Sequence, residues 1–444
     1  MIDLARFLWY HFRKGRCRRD RHRLGGIKML KHIAHLSTHG FFDPVPTLGK
    51  TDTGGQVVYV LELAKALAKQ GIKVDIYTRW FDREQEQVDP VPGCPDVRVI
   101  RIPCGPWEFI RKEDIYAVLP DLAKNMVAFI RENSIDYDLY HGHYVDAGVV
   151  TLDVAGAMGR PAFFTPHSLG EWKRQQMGGD PEEMERVFNF KHRAAEEMRI
   201  FKTVVAQTMT TKIQVEKIQE LYGFTADNIE VIPPGVDVER FRPLAENEQE
   251  MDIDVPGKYV FCISRIDSNK GHDFLLHAFD IVHRKIPDVQ LLIGGGSPRP
   301  KKVELEVRAM MKKLIDEHAL HDRVRILGYI PDEPLAAYYR KARLFVLPSK
   351  FEPFGMTTLE AMAVGTPVVA SKLGGIRENI DSGRSGVLVD PSDKEELAAA
   401  MIDSLENPEK AKAMGMAGMA VVLKEFSWEA IAGKFMDFYR RYSG

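Results

Sequence analysis

Two glutamates, Glu352 and Glu360, stand eight residues apart in the segment Phe351-Glu-Pro-Phe-Gly-Met-Thr-Thr-Leu-Glu360, which continues into Ala361-Met-Ala-Val-Gly-Thr-Pro367. The apolar run Leu344 to Leu347 ahead of them predicts a buried strand. Pro353 and the residues after it predict a helix start, and Gly365 and Pro367 its end. Glu352 then belongs to a strand-to-helix loop and Glu360 lies about two turns further on. Carboxylates so placed can grip hydroxyls, those of a sugar ring at one position and of a ribose at the other. The pair alone fits two solvated side chains equally well. Other segments give it weight.

In Asp52-Thr-Gly-Gly-Gln-Val-Val-Tyr59, Gly54 and Gly55 open an expected helix with no side chain between backbone and ligand, so unpaired amides can face an anion. Gln56 comes directly after them. The third glycine of a dinucleotide fingerprint is absent, as is the Lys-Ser/Thr of a Walker motif. A plain tight turn explains the glycines as well.

Arg265 and Lys270, in Ser264-Arg-Ile-Asp-Ser-Asn-Lys-Gly271, come after another expected strand. Arginine's planar fork and lysine's mobile charge suit a diphosphate leaving group. Gly294-Gly-Gly296 permits close backbone approach, and Tyr329 and Ile330 either flank a base or pack in the core. A second polar cluster spans His141-Gly-His-Tyr-Val-Asp146 and Thr165-Pro-His-Ser-Leu-Gly170. Lys112, Lys173 and Arg193 would add cations beside Tyr144 and Ser168, a set suited to a phosphorylated acceptor. No long basic stripe or aromatic ladder accompanies them, which argues against nucleic acid.

The elements that must position these groups alternate strand and helix. Strands are expected at Ile33–Ser37, Lys73–Thr78, Val97–Ile102, Leu139–His141, Ala162–Thr165 and Thr203–Ala206. The same grammar returns at Lys258–Ser264, Val289–Ile293, Val324–Leu327, Leu344–Leu347 and Pro367–Ala370. Right-handed crossovers make such strands parallel, and ligands lie at their carboxyl ends. The expected fold is therefore α/β, with two Rossmann-like doubly wound domains and an interdomain cleft. Their expected bounds are 29–245 for an acceptor-binding domain and 246–420 for a nucleotide-sugar-binding domain. A linker is read from Pro233 to Asp254, and residues 421–444 supply a terminal helix expected to pack across the join.

Composition bounds the rest. At 444 residues the chain is too long for one ordinary core. Lys+Arg 61 against Asp+Glu 63 excludes a general polyanion binder. Cys17, Cys94, Cys104 and Cys262 lack metal-ligand spacing and fit a reduced, cytoplasmic protein. Residues 1–28 are set apart as a basic extension. Their apolar start and the run Arg13 to Arg23 suit either an unordered tail or weak membrane-surface contact through residues 1–23.

Through these motifs, over roughly residues 31–440, the chain resembles retaining glycosyltransferases of the GT-B fold, in the family containing sucrose synthase and sucrose-phosphate synthase. Within the family it is most similar to the mannosylfructose-phosphate and sucrose-phosphate synthase branch. The resemblance implies a donor, GDP-mannose or UDP-glucose, with Gly54 and Gly55 near its phosphates, Arg265 and Lys270 on the pyrophosphate, Glu360 on the ribose and Glu352 on the transferred sugar. Phe354, Gly355, Met356, Thr357 and Tyr329 complete the implied donor contacts. His167 is implied beside the reacting sugar, through its ring or its backbone carbonyl. Gln56, Lys112, Tyr144, Ser168, Lys173 and Arg193 are implied to hold fructose 6-phosphate. No protein nucleophile, cofactor or essential magnesium is implied, the two cations serving the leaving group. Asp267-Ser-Asn before Lys270 departs from the family's basic signature but keeps both cations.

Free fructose as acceptor would not need the basic cluster, and a lipid or polysaccharide acceptor would use the amino terminus. An epimerase would consume a sugar nucleotide without an acceptor, and a silent binding module would need fewer polar contacts.

Overall fold

A computed structural model of the chain describes residues 9, 29–46, 54–177 and 179–443. The polybasic run, Cys17, Asp52 and Thr53 lie outside the described residues. The chain forms two compact units, one running to Gly235 and regaining Trp428 onward, the other comprising Val236–Ser427 together with Trp9.

The first unit holds an eight-stranded sheet: β1 (His32–Leu36), β2 (Lys73–Trp80), β3 (Val88–Val91), β4 (Cys94–Pro103), β5 (Leu139–His143), β6 (Ala162–Thr165), β7 (Ala206–Met209) and β8 (Ile229–Val231), in the order β3-β4-β2-β1-β5-β6-β7-β8. Every pairing is parallel except β3 with β4. The second unit holds six parallel strands: β9 (Tyr259–Ser264), β10 (Gln290–Gly295), β11 (Val324–Gly328), β12 (Leu344–Leu347), β13 (Val368–Ser371) and β14 (Val387–Val389), ordered β11-β10-β9-β12-β13-β14.

Parallel strands covered by helices on both faces read as unbroken apolar runs, and β12, Leu344-Phe-Val-Leu347, is buried throughout. Each sheet separates two apolar layers. Strand order reverses between β1 and β5 in the first sheet and between β9 and β12 in the second. At such a reversal adjacent crossovers leave in opposite directions, opening a crevice at the strands' carboxyl ends.

Three boundaries differ from the sequence reading. The helix Phe190–Thr203 runs through the start of the strand expected at Thr203–Ala206, and β7 begins at Ala206. The expected linker is partly core: Val236, Val238 and Phe241 are buried among Tyr259, Phe261 and Tyr339, which moves the division from 245 to Gly235. The terminal helix, Trp428–Tyr442, belongs to the first unit, where Ile431, Phe435 and Tyr439 pack with Val57, Val60 and Phe163. Trp9, within the expected extension, is half-buried and donates from Nε1 to the Val238 carbonyl at 3.3 Å, under the Arg242 guanidinium.

Candidate active site

The second unit gathers its polar groups at the carboxyl ends of β9 and β12, the strands that flank the reversal. Lys270 arrives on the loop after β9 and Glu352 on the loop after β12, and Lys270 Nζ donates to Glu352 Oε2 at 2.6 Å. The Ser349 hydroxyl donates to the same oxygen at 3.3 Å. Backbone geometry forces the meeting. Gly271 has φ +65°, and a Cβ there would run into the Pro348 carbonyl, so only glycine lets the two loops close. The Lys350 amide donating to the Asn269 carbonyl at 2.7 Å ties them again. Gly271→Ala is expected to cost about 2–4 kcal/mol; a urea midpoint matching the wild type would refute the crowding argument.

Arg265 is placed differently from the expectation that both cations converge. Its side chain is 82% exposed and pairs with Asp267 Oδ2 at 3.2 Å. Lys270 alone of the two is enclosed with Glu352.

Past Glu352, Phe354 is buried against Phe426, and its carbonyl accepts from Asn379 Nδ2. Gly355, at φ +85°, starts the helix Met356–Ala363. Met356 and Thr357 are half-buried in its first turn, where amides lack intrahelical partners and a phosphate or hydroxyl can be held. Glu360 lies further along that helix, as read from sequence. Its half-buried carboxylate accepts from Tyr339 Oη at 2.7 Å. Tyr329, just past β11, is 46% exposed, while Ile330 is core.

Burial raises the Glu360 carboxyl to about 7, which the Tyr339 hydrogen bond only partly offsets. The fold thus favours the protonated form, and stability declines as pH climbs from the ordinary glutamate value through about 7. Glu360→Gln is expected to match the wild type at pH 4 and exceed it by about 3 kcal/mol at pH 8. Urea unfolding at both pH values checks this; an equal difference at each would remove the carboxyl as its source.

The first unit gathers its groups at the ends of β1, β5 and β6, around its own reversal. Gln56, in the first turn of the helix Gly55–Ala68, donates from Nε2 to Ser37 Oγ at 3.1 Å and to the His143 carbonyl at 3.2 Å, spanning β1 and β5. Gly54 has φ −83°, so the turn does not demand glycine. A Cβ on Gly54 or Gly55 would meet no described atom within 4 Å.

Tyr144 (φ +77°) and His167 (φ +56°) are held left-handed just beyond adjacent strands. Non-glycine residues adopt that conformation at a cost and persist there where the surroundings over-determine it, commonly at functional sites. His167 Nε2 lies 3.0 Å from His143 Nδ1, and its ring sits edge-on to Tyr59. Burial lowers the His167 ring to about 3, so it is neutral near pH 7.

Arg193 organises the remaining groups. Its guanidinium donates to Tyr144 Oη at 2.6 Å, to the Ser168 carbonyl at 2.8 Å and to Ser168 Oγ at 3.0 Å. Nε donates to Glu197 Oε1 at 2.9 Å, one helical turn along. Glu197 is fully buried and also accepts from the Gly170 amide and the Tyr222 hydroxyl. One recess is lined by Lys112, Glu113, Tyr116, Tyr144, Lys173, Phe188, Phe190 and Arg193. Lys112 Nζ stands 3.6 Å from Glu113, and Lys173 Nζ lies over the Phe188 ring. The structure therefore brings Lys112, Tyr144, Ser168, Lys173 and Arg193 together. Glu197 and Glu113 were missed by the sequence reading, although the i,i+4 spacing of Arg193 and Glu197 signals the first.

Residues 245–420 match the family model of glycosyl transferases group 1, and residues 53–240 that of glycosyltransferase family 4. Mannosylfructose-phosphate synthase of Agrobacterium fabrum is 38% identical over 91% of this chain and 90% of its own length. The chain belongs to the GT-B glycosyltransferases. A D-inositol 3-phosphate glycosyltransferase of Corynebacterium urealyticum is 32% identical to this glycosyltransferase over 92% of the chain and 95% of its own. Among solved structures, sucrose-phosphate synthase from Thermosynechococcus elongatus superposes with a TM-score of 0.72 at 32% identity, covering 93% of this glycosyltransferase and 98% of its own chain. No helix among the described residues is long and apolar enough to cross a membrane.

Proposed function

We propose that this glycosyltransferase moves a hexose, with retention at the anomeric carbon, from a nucleotide sugar such as GDP-mannose or UDP-glucose to a phosphorylated polyol of the fructose 6-phosphate kind. The observation that carries the reading is the gathering of Lys112, Tyr144, Lys173 and Arg193 around one recess, with Ser168 bonded to Arg193. Lys112, Lys173 and Arg193 stand there with Glu113 and Glu197, and cationic donors of this kind suit a phosphate. The names of the relatives above each carry a phosphate on the sugar or polyol, which supports the same class.

The donor falls to the second unit. Lys270 and Arg265 take the diphosphate, and Glu352 takes hydroxyls of the transferred sugar. Before donor arrives, Glu352 compensates the Lys270 charge. As the sugar–phosphate bond lengthens, charge grows on the diphosphate and Lys270 stabilises it. The acceptor hydroxyl bonds to the same carbon, and its proton passes to the departing phosphate oxygen. Gly54 and Gly55 keep the helix start clear for donor phosphates, Glu360 takes the ribose, and the turn at Phe354 to Thr357 lines the nucleotide. Tyr329, exposed past β11, is assigned to the base, and the neutral His167 ring to the reacting sugar. Magnesium is not essential in this reading.

The test incubates purified protein with each donor against fructose 6-phosphate, free fructose and D-inositol 3-phosphate, and reads product mass and anomeric configuration. A phosphorylated disaccharide of retained configuration is expected from fructose 6-phosphate. Transfer to free fructose at an equal rate would overturn the acceptor assignment. Lys173→Ala is expected to raise KM for the phosphorylated acceptor about tenfold with kcat little changed; equal weakening of an unphosphorylated acceptor would remove Lys173 from the phosphate.

A further inference from the structure

Behind His167 lies an array the transfer reaction does not use. His35 on β1 and His141 and His143 on β5 are fully buried, their ring nitrogens close enough to hold a metal ion. All six nitrogens are already engaged. His143 Nδ1 meets His167 Nε2 at 3.0 Å, and His143 Nε2 meets His35 Nδ1 at 3.3 Å. His35 Nε2 meets Tyr439 Oη at 3.4 Å, and Tyr439 Oη meets His141 Nδ1 at 2.6 Å. His141 Nε2 reaches Thr165 Oγ1 at 2.8 Å, which reaches Thr208 Oγ1 at 2.6 Å. One continuous chain runs from His167 to the last helix and back to β7.

Burial lowers all four histidines, so each ring carries one N–H and one lone pair. Such a chain has two self-consistent proton arrangements. In one, Tyr439 donates to His141 and accepts from His35 Nε2–H. His143 Nε2–H then donates to His35 Nδ1, and His167 Nε2–H donates to His143. In the other every bond is reversed. A mixture sets two N–H groups or two lone pairs against each other, or has Tyr439 Oη accept from both rings and leaves its own proton without an acceptor, in a dry interior. The short Tyr439–His141 contact fits a hydroxyl donor, whose bonds are shorter than those of N–H donors, and accords with the first arrangement.

We propose that Tyr439, acting through His35 and His143, fixes His167 as the Nε2–H tautomer, so that its Nδ1 lone pair accepts from a hydroxyl of the bound sugar. His167 Nδ1 has no hydrogen-bond partner among the described residues. The proposal rests on the placement of His167 at the reacting sugar made above. Tyr439 is thereby a positioning residue in the helix Trp428–Tyr442, and its effect on chemistry runs through the order of protons.

The test is long-range nitrogen–proton NMR of the ligand-free, full-length protein with 15N-labelled histidine, His167 being assigned by loss of its signals in His167→Asn. The wild type is expected to show His167 with a bare Nδ1 and a protonated Nε2. Tyr439→Phe is expected to mix the tautomers to about equal populations and lower kcat about twofold, with melting temperature recorded alongside. Where Tyr439→Phe does not fold, His35→Asn breaks the same chain one link nearer. An unchanged His167 spectrum in the folded variant overturns the inference, as does an Nδ1–H tautomer in the wild type. Because the spectrum needs no substrate, a wild type without transfer activity would sink the proposed reaction and leave the tautomer result standing.

Discussion

Lys270→Ala is expected to lower turnover by about 100-fold or more, the loss typical of removing one preorganised group that stabilises transition-state charge. Two effects add. The diphosphate loses the one enclosed cation at the end of β9, while Arg265, largely exposed, is too solvated to replace it. Glu352 also loses its 2.6 Å partner and, among the described residues, keeps only the Ser349 hydroxyl, so the carboxylate assigned to the sugar is free to turn. Glu352→Gln separates the two effects, because it keeps a polar group near Lys270 but removes the anionic acceptor. The measurement is single-turnover transfer with donor saturating, with a thermal melt to confirm the fold. Turnover within threefold of wild type in a folded Lys270→Ala would show that the charge assignment fails.

Arg193→Ala is expected to cost about 3–5 kcal/mol of stability, the range for breaking a buried ion pair. Arg193 and Glu197 are both shielded from solvent, and removing the guanidinium leaves the Glu197 carboxylate with two donors, the Gly170 amide and the Tyr222 hydroxyl. Tyr144, held left-handed, and Ser168 lose a shared donor at the same moment. Arg193→Met combined with Glu197→Gln removes the stranded charge while keeping an acceptor for those two donors. It should recover about half the loss in urea unfolding, yet still bind the phosphorylated acceptor poorly. If the single variant stays within 1 kcal/mol of wild type, the pair does not hold this part of the fold.

Much of the architecture was legible because a parallel sheet buried on both faces leaves a plain trace: β6 and β12 fall where the apolar runs do. Edge strands leave none. The short β8 and the Pro-containing β3 carry little of that trace. The strand expected at Thr203–Ala206 slipped because Thr203 and Val204 finish a helix, and a β-branched pair at a helix end resembles the start of a strand. Donor-side motifs were readable since Lys270 and Glu352 sit in strand-to-helix loops with glycine and proline punctuation, and Glu360 lies on the helix that follows. The meeting of Lys270 with Glu352 was not, because it depends on Gly271 packing against Pro348, a contact between loops 77 residues apart. The histidine array was hidden for a similar reason. His141 and His143 were read as part of a polar cluster, but His35 looks like an ordinary polar interruption of its strand, and only the parallel register of His35 beside His141 makes them neighbours.

The return of Trp428–Tyr442 to the first unit sets an order on biosynthesis. A ribosome delivers residues up to Gly235 early, but the segment that seals their apolar layer emerges only after all of Val236–Ser427 has been made. Until then the surface built from Val57, Val60 and Phe163 stays uncovered. The later-made unit is thus the first able to finish folding, and a nascent chain stalled anywhere within it displays a sticky face for chaperones to mask.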